Sequence, residues 1–323
     1  MKRLLKRGAL LAAANWPAVV IQFVAQMTFQ VLLAVPILGA AILVAVLLGA
    51  DLANLVRGTM REMFATIAEA LVSEPVALVA FVAAFTIVLL GGSVLMFLVK
   101  GGTVTVMLAA NDGAGPIESD PLAFATVRQA AQFTVERFVS GCSILFPRYL
   151  VLGLGLMAVY GISGGAYLAF IVYGFRTVEG QGLILGWTFI AALSAILLVL
   201  WVTAVNLIYL LMQIATASGE GGFRDAFGAV VRFVRAEFME VGGVFLVVLA
   251  MVVAAMLASA LAWSGVGLIA FVPFVGLAVF PLQIAALLLR GLVFEYIGLT
   301  AMGAYITLYQ RHVARFRTDM TIL

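Results

Sequence analysis

Long uncharged stretches alternate with short charged segments along this chain. The stretches cover residues 8–50, 75–99, 149–175, 180–219 and 241–289, with a shorter one at 296–310. A helix needs about 20 apolar residues to cross about 30 Å of hydrocarbon. The second and third stretches each fit one span, and the other long ones exceed one straight span. The pattern therefore predicts an all-α integral membrane protein with about six transmembrane helices.

Four prolines subdivide the longer stretches: Pro17, Pro36, Pro273 and Pro281. Each marks an expected break, because a proline ring removes a backbone donor and clashes with the preceding helical turn. The segment 265–289 is expected to be re-entrant or kinked rather than a seventh span. Such a piece has to be shielded by protein instead of lipid.

Lysine and arginine are concentrated in alternate segments. Thirteen lie in the N-terminal segment, 111–148, 219–240 and the C-terminal segment, and only Arg57, Arg61 and Arg176 lie in the alternate loops. Because cytoplasmic loops are enriched in these residues, both termini are expected in the cytoplasm of a bacterial inner membrane. The basic start precedes an apolar run without a convincing cleavage site, so an uncleaved N-terminus is expected.

An amphipathic helix followed by two spans recurs within one transmembrane domain, residues 1–323. The possible repeats are 1–110, 119–217 and 222–310. Asp120 and Pro121 suit the start of the second amphipathic helix. The apolar stripe of the second amphipathic helix is Phe124, Val127, Ala131, Val135 and Phe138, and that of the third is Phe223, Phe227, Val230, Val234 and Phe238. Amphipathic helices of this kind lie in the headgroup plane. Alternatively, the pattern does not indicate a repeat, because any helix between two spans of a membrane protein has such a stripe. Residues 51–73 are a further amphipathic candidate.

Two segments of the third unit resemble a known family. They read FRDAFGAVVRFVRAEFMEVGGVFLVV and GLTAMGAYITLYQRH. They are similar to the membrane domain of bacterial glycerophosphodiester phosphodiesterases and its stand-alone relatives of unknown function. The resemblance extends loosely to the second unit. It does not imply phosphodiesterase activity, because the catalytic barrel of that family has no counterpart in these residues, and it transfers no functional residue.

Composition supports lipid as the solvent and limits the possible chemistry. Hydrophobic residues are 65% and charged residues 10% of the chain, against about 45–50% and about 25% in soluble domains. Cys142 and His312 are the only residues of their kinds. This excludes an internal disulfide and most zinc, haem and histidine-based sites, so no cofactor is expected. The net charge of +3 is not gathered in one patch, so no nucleic-acid partner is expected.

Three ionisable residues lie in or beside the long apolar stretches: Lys100, Arg290 and Glu295. Ionisable groups at membrane depth are functional candidates by default. We expect Lys100 and Glu295 to pair across helices. In the alternative, Lys100 and Arg290 reach the headgroups along their apolar stems, while Glu295 is neutral or faces water.

Five uncharged amides share helix faces. Gln22, Gln26 and Gln30 repeat at four-residue spacing in the first span, and Asn206 and Gln213 lie seven apart in the fourth. Amides commonly form hydrogen bonds between membrane helices. The alternative is a polar wall along a substrate path or lipid-headgroup groove.

These features favour a non-catalytic accessory or scaffold subunit of a larger membrane assembly, in contact with lipids and other membrane subunits. The alternative is a transporter or channel-like protein with a small polar site among its helices. A membrane enzyme is least favoured, since no nucleophile, base and orienting group occur at suitable spacing.

Overall fold

The structure, a computed structural model, describes residues 2–48, 75–115, 124–178, 183–219, 221–270 and 275–321. Nearly all of these residues are helical and none forms a β-strand, which confirms the predicted all-α class. The helices are α1 (Lys2–Ala14), α2 (Trp16–Leu48), α3 (Pro75–Gly113), α4 (Phe124–Ala130), α5 (Val135–Val178), α6 (Ile184–Ala217), α7 (Phe223–Ala236), α8 (Phe238–Ala270) and α9 (Val275–Thr321).

Six of these helices are long and apolar enough to cross a membrane. The qualifying segments in the described chain are Trp16–Gly39, Leu78–Gly113, Val135–Val178, Leu185–Ala217, Phe238–Ala262 and Pro281–Arg315. This confirms the prediction of a multi-pass membrane protein with six spans. In chain order, a short helix precedes two long ones three times. The relation between the three units as repeats stays a prediction.

The expected proline breaks are only partly correct. Pro17 lies in the first turn of α2, directly after the turn at Asn15, where a missing donor costs little. The helices are not broken at Pro36 or Pro281, because α2 and α9 continue through them. Membrane helices tolerate proline where neighbouring groups satisfy the freed carbonyl. Pro273 lies outside the described residues.

The segment 265–289 consists of the ends of two long helices. Residues 265–270 complete α8 and residues 275–289 begin α9. The residues between them, 271–274, lie outside the described part of the chain, as does the amphipathic candidate 51–73. Where it is described, this segment is therefore continuous with the two spans that flank it.

The chain divides into two compact units, Met1–Phe23 with Leu98–Leu323, and Val24–Phe97. The smaller unit holds most of α2 and the first part of α3. Gly92 of α3 lies directly against the ring of Phe29 in α2. The rings of Phe81 and Phe85, one helical turn apart, have centroids separated by 6.0 Å. Glycine at position 92 therefore allows the two helices of this unit to approach closely.

In the larger unit, α1 crosses α9 at glycine. A methyl group on Gly8 would collide with the carbonyl oxygen of Thr300, and one on Gly303 would lie 3.0 Å from the Cα of Gly8. Tyr296 donates its hydroxyl hydrogen to the carbonyl of Ala9 at 3.1 Å. The sequence of α9 at this point, with Thr300, Gly303 and small neighbours, thus forms a groove that accepts the N-terminal helix.

A second close crossing joins α3 to α5. A methyl group on Gly102 would lie 2.6 Å from the carbonyl oxygen of Phe138 and 2.7 Å from Sγ of Cys142. One on Gly141 would lie 2.7 Å from Cβ of Thr105. Small residues on both helices are the usual route to such contacts in membrane proteins.

The second amphipathic stripe is interrupted, contrary to the single face predicted from Phe124 to Phe138. Residues 131–134 are not helical. Asn15 holds them open: its Nδ2 donates to the carbonyl of Ala130 at 2.8 Å, and its Oδ1 accepts from the backbone N–H of Gln132 at 2.9 Å. Thr134 then caps α5, because its Oγ1 accepts from the backbone N–H of Arg137 at 3.2 Å. Local periodicity could not reveal a partner 115 residues away.

Candidate functional site

Arg7 of α1 is buried among the polar groups that end α3. Its Nε donates to Oδ1 of Asn111 at 2.8 Å, and its Nη2 donates to the carbonyls of Asn111 at 2.9 Å and Gly115 at 2.6 Å. Gly115 has φ +70°, a left-handed conformation suited to the end of a helix. A guanidinium here stabilises the free carbonyls and the negative end of the helix dipole.

The same cluster extends to α9. Thr307 Oγ1 lies 2.8 Å from Oδ1 of Asn111, and the Asn111 amide donates to Oε1 of Gln310. Gln310 Nε2 in turn donates to Oδ1 of Asp112 at 3.0 Å. Together with Arg7, these residues form what we call the Arg7 cluster, which joins α1, α3 and α9 at one end of the larger unit.

A second polar cluster joins α9 to the junction of α7 and α8. Glu237 accepts from Nη1 of Arg315 at 3.1 Å and lies 3.7 Å from Nη2 of Arg311, which also contacts Glu240. His312, the single histidine of the sequence, lies beside this cluster. It is half-buried, 4.0 Å from Glu237, with its ring 5.4 Å from that of Phe233. The segments 224–235 and 311–317 therefore lie at the same end of the larger unit, as the predicted topology requires.

Beside these clusters lies a cavity of about 570 Å³. Its walls come from α3, α5, the end of α6 and α9. The polar residues among them are Thr105, Asp112, Ser140, Ser218 and Gln310. The cavity therefore belongs to the same end of the unit as the Arg7 cluster.

Lys100 and Glu295 both lie in the larger unit. They are close enough for the charge of each residue to act on the other. Their atoms do not form an ion pair within 4.0 Å among the described residues. The structure brings these predicted site residues near one another, and their pairing stays a prediction.

The three glutamines of α2 have different surroundings. Gln22 is 1% exposed, and its Oε1 lies 3.1 Å from Oγ1 of Thr103 in α3. Gln26 is half-buried and Gln30 is exposed, both in the smaller unit. Gln22 therefore forms a hydrogen bond between two helices, which is one of the two roles expected for these amides.

The two amides of α6 also differ. Asn206 accepts a hydrogen bond from the hydroxyl of Tyr160 in α5. Gln213 is 1% exposed and its backbone carbonyl accepts from the hydroxyl of Tyr149 at 2.8 Å. The side-chain Nε2 of Gln213 is buried without a hydrogen-bond partner of normal geometry within the described residues.

Arg290 lines a cavity that neither Lys100 nor Glu295 lines. It is exposed, with its guanidinium carbon 5.7 Å from the ring centroid of Phe294. It lines an apolar cavity of about 440 Å³ between α8 and α9, together with Ser259 and Gln283. Its stacking on an aromatic ring is a typical arrangement for an arginine at a membrane boundary.

Sequence reasoning missed the anchoring roles of Arg7, Asn15 and Glu237. For Arg7 a signal exists, because it lies three residues after Leu4 and four before Leu11 and so shares the apolar face of α1. Arg7 and Asn15 are buried, and the side chain of Glu237 is 13% exposed. For Asn15 and Glu237 the only signal is a polar residue at a junction between two helices, which does not identify the distant partner.

Within the described ranges, no three or more His, Cys, Asp or Glu residues come together in a way that could hold a metal ion. The arrangement of charges and amides at this end of the larger unit joins helices to one another. Comparisons with protein-family models, curated proteins and solved structures find no match for this chain.

Proposed function

We propose that this chain is a non-catalytic accessory or scaffold subunit of a larger membrane assembly, which binds the helices of other membrane proteins. Support comes first from α6. No residue of its most apolar stretch, within Leu185–Ala217, is fully buried by the described residues. Faces of this kind are covered by lipid or by helices of a partner.

The outer face of α5 carries the observation that favours a protein partner. Gly161 and Gly165 are four residues apart and exposed. A methyl group on either would meet no other atom of the described chain within 4 Å. A pair of glycines at this spacing lets the backbone of a second membrane helix approach closely. In contrast, Gly8 and Gly102 already serve close crossings inside the larger unit.

A test compares native purification of three forms of the chain in mild detergent. We expect the wild type to co-elute with other membrane proteins in fixed ratio, measured by quantitative mass spectrometry. Gly161→Leu with Gly165→Leu should reduce that recovery several-fold, because the leucines block close approach. Gly186→Leu is the matched control, since Gly186 is equally open but has Ile190 four residues later.

The proposal fails if the double variant and the wild type recover the same proteins in the same ratio. Co-elution of a second, differently tagged copy would identify the partner as the chain itself. Each variant must keep the unfolding temperature of the wild type for the comparison to count.

The alternative function is a transporter or channel-like protein with a small polar site. It is favoured by the nearness of Lys100 and Glu295 and by the contact between Gln22 and Thr103. None of these four residues lines the cavities beside Asp112, Arg290, Trp201 or Arg148. In a Cys142→Ala background, rapid modification of Thr103→Cys by a membrane-impermeant maleimide would favour this alternative, because it requires a water-filled path.

A further inference from the structure

An apolar groove runs along the larger unit between α5, α6 and α7. It has a volume of about 370 Å³. Its lining includes Leu152, Val159, Trp201, Met212 and Phe227. At 1.5 Å per residue, the wall from 201 to 212 on α6 is about 16 Å long. The groove is therefore long and narrow, and its axis follows the spans.

A second, smaller cavity of about 260 Å³ adjoins this groove and shares Leu152 and Phe223 with it. Here the lining changes to Arg148, Thr216 and the glycines 221 and 222. Arg148 is exposed and forms no ion pair or hydrogen bond with another residue of the described chain. A cation that pairs with none of the described residues thus lies at one end of an apolar groove.

The position of Arg148 along α5 fits a membrane boundary. It directly precedes the uncharged stretch 149–175, whose 27 residues cover about 40 Å as a helix. That length exceeds the hydrocarbon thickness of about 30 Å, so Arg148 lies at headgroup level. Arginine and a small polar cavity at that level complement the anionic headgroup of a lipid.

The exposed rings of α7 add to this match. Phe223 and Phe227 of α7 are 49% and 48% exposed, so the apolar face of this helix remains available to a ligand. Tyr209 also lines the groove, but the protein encloses its hydroxyl beside the Gln213 amide. The groove itself is therefore an apolar site.

The start of α7 does not itself carry the recognition. Gly222 caps this helix with an extended backbone and no side-chain hydrogen bond, but Asp225 already places a carboxylate in its first turn. The positive charge available to a ligand is therefore that of Arg148.

We propose that Arg148 and the adjoining α5–α6–α7 groove form a binding site for an anionic phospholipid. The phosphate headgroup lies in the small cavity beside Arg148, and one acyl chain lies in the groove toward Trp201. This orientation places the headgroup at the boundary and the chain in the membrane interior, as for the bulk lipid of the same leaflet.

The experiment uses Trp201 as a reporter, with Trp16, Trp187 and Trp263 changed to phenylalanine. The full chain is reconstituted in vesicles in which phosphatidylglycerol with dibrominated acyl chains is titrated against unbrominated phosphatidylcholine, and then the reverse. Bromine quenches tryptophan fluorescence on contact. We expect brominated phosphatidylglycerol to quench Trp201 with a relative binding constant about five-fold higher than that of brominated phosphatidylcholine.

Arg148→Gln should bring the two lipids to parity, and Arg148→Lys should retain a preference because it keeps the charge. Arg290→Gln is the matched control, because it removes a boundary arginine that lines a different cavity, and should leave the preference unchanged. Equal quenching by the two lipids in the wild type would overturn the proposal, as would a preference that survives Arg148→Gln. Loss of the preference on adding inorganic phosphate would also overturn it, since that result identifies a site for the free ion.

Discussion

Arg7 donates from Nε to Oδ1 of Asn111 over 2.8 Å, although 104 residues separate them along the chain. Arg7 is 3% exposed, and its guanidinium also donates to two carbonyls at the end of α3. One side chain near the N-terminus therefore satisfies several acceptors that a helix end leaves open. This contact fixes α1 against the larger unit at its polar end.

Replacing Arg7 with methionine should destabilise the protein. A hydrogen bond to a charged group contributes about 1.5–3 kcal/mol, and the change leaves buried acceptors unpaired. We expect a loss of about 2 kcal/mol, seen as a fall of several degrees in the unfolding midpoint. Cys142, the only cysteine, is buried, so a thiol-reactive fluorogenic dye reports unfolding in detergent. Arg3→Met, an exposed cation on the same helix, should leave the midpoint unchanged; an equal fall would contradict the assignment.

The crossing of α1 and α9 predicts that Gly8 tolerates no side chain. In Gly8→Ala, the new methyl group would collide with the backbone of Thr300, which cannot rotate away. Overpacking of this kind costs about 1–3 kcal/mol. The same dye should therefore react with Cys142 at a clearly lower temperature.

Gly298→Ala provides the control for this crossing. Gly298 lies in α9 near Thr300, yet a methyl group there meets nothing within 4 Å in the described residues. Its midpoint should equal or slightly exceed that of the wild type, because alanine has the higher helix propensity. If both alanine variants melted alike, the close approach at Gly8 would be refuted.

The predicted elements and the missed contacts differ in the range of the forces that determine them. Helices and spans follow from local hydrophobicity, so the six spans were predictable from stretches such as 149–175. Burial of Arg7 depends on where α1 docks. The break at residues 131–134 depends on Asn15, which lies 115 residues from the carbonyl it binds. No local pattern contains such distant pairings.

Lys100 and Glu295 also show what the sequence alone cannot predict. The long apolar stretches identified each residue as unusual, but only the fold brings them within electrostatic range. Arg290, chosen by the same rule, lines a different cavity beside α8. A rule based on charge in an apolar stretch therefore finds candidates without deciding which of them interact.

A double-mutant cycle tests the interaction of Lys100 with Glu295. We expect Lys100→Met and Glu295→Gln each to lower the unfolding midpoint, because each leaves the other charge without its counter-charge. The double variant should lose less than the sum of the single losses, with a coupling of about 0.5–3 kcal/mol. Cys142 reactivity supplies the measurement. Strictly additive losses would show that the two residues act independently, and Arg290→Met combined with Glu295→Gln serves as the comparison pair.

The contacts of Glu237 with Arg311 and Arg315 predict which segments share one side of the membrane. Because these contacts join the α7–α8 junction to the end of α9, residues 235 and 315 must face the same compartment. In a Cys142→Ala background, Arg235→Cys, Arg315→Cys and Lys2→Cys should resist a membrane-impermeant maleimide in intact cells. All three should react after permeabilisation. Arg176→Cys, at the end of α5 distant from these contacts, should react without permeabilisation.

The charge distribution predicts this orientation, since lysine and arginine favour the cytoplasmic side. The opposite pattern in all four variants would invert the orientation and keep the fold. Labelling of Arg235→Cys and Arg315→Cys from different sides would contradict the fold itself, because one ion pair cannot join residues separated by the hydrocarbon layer.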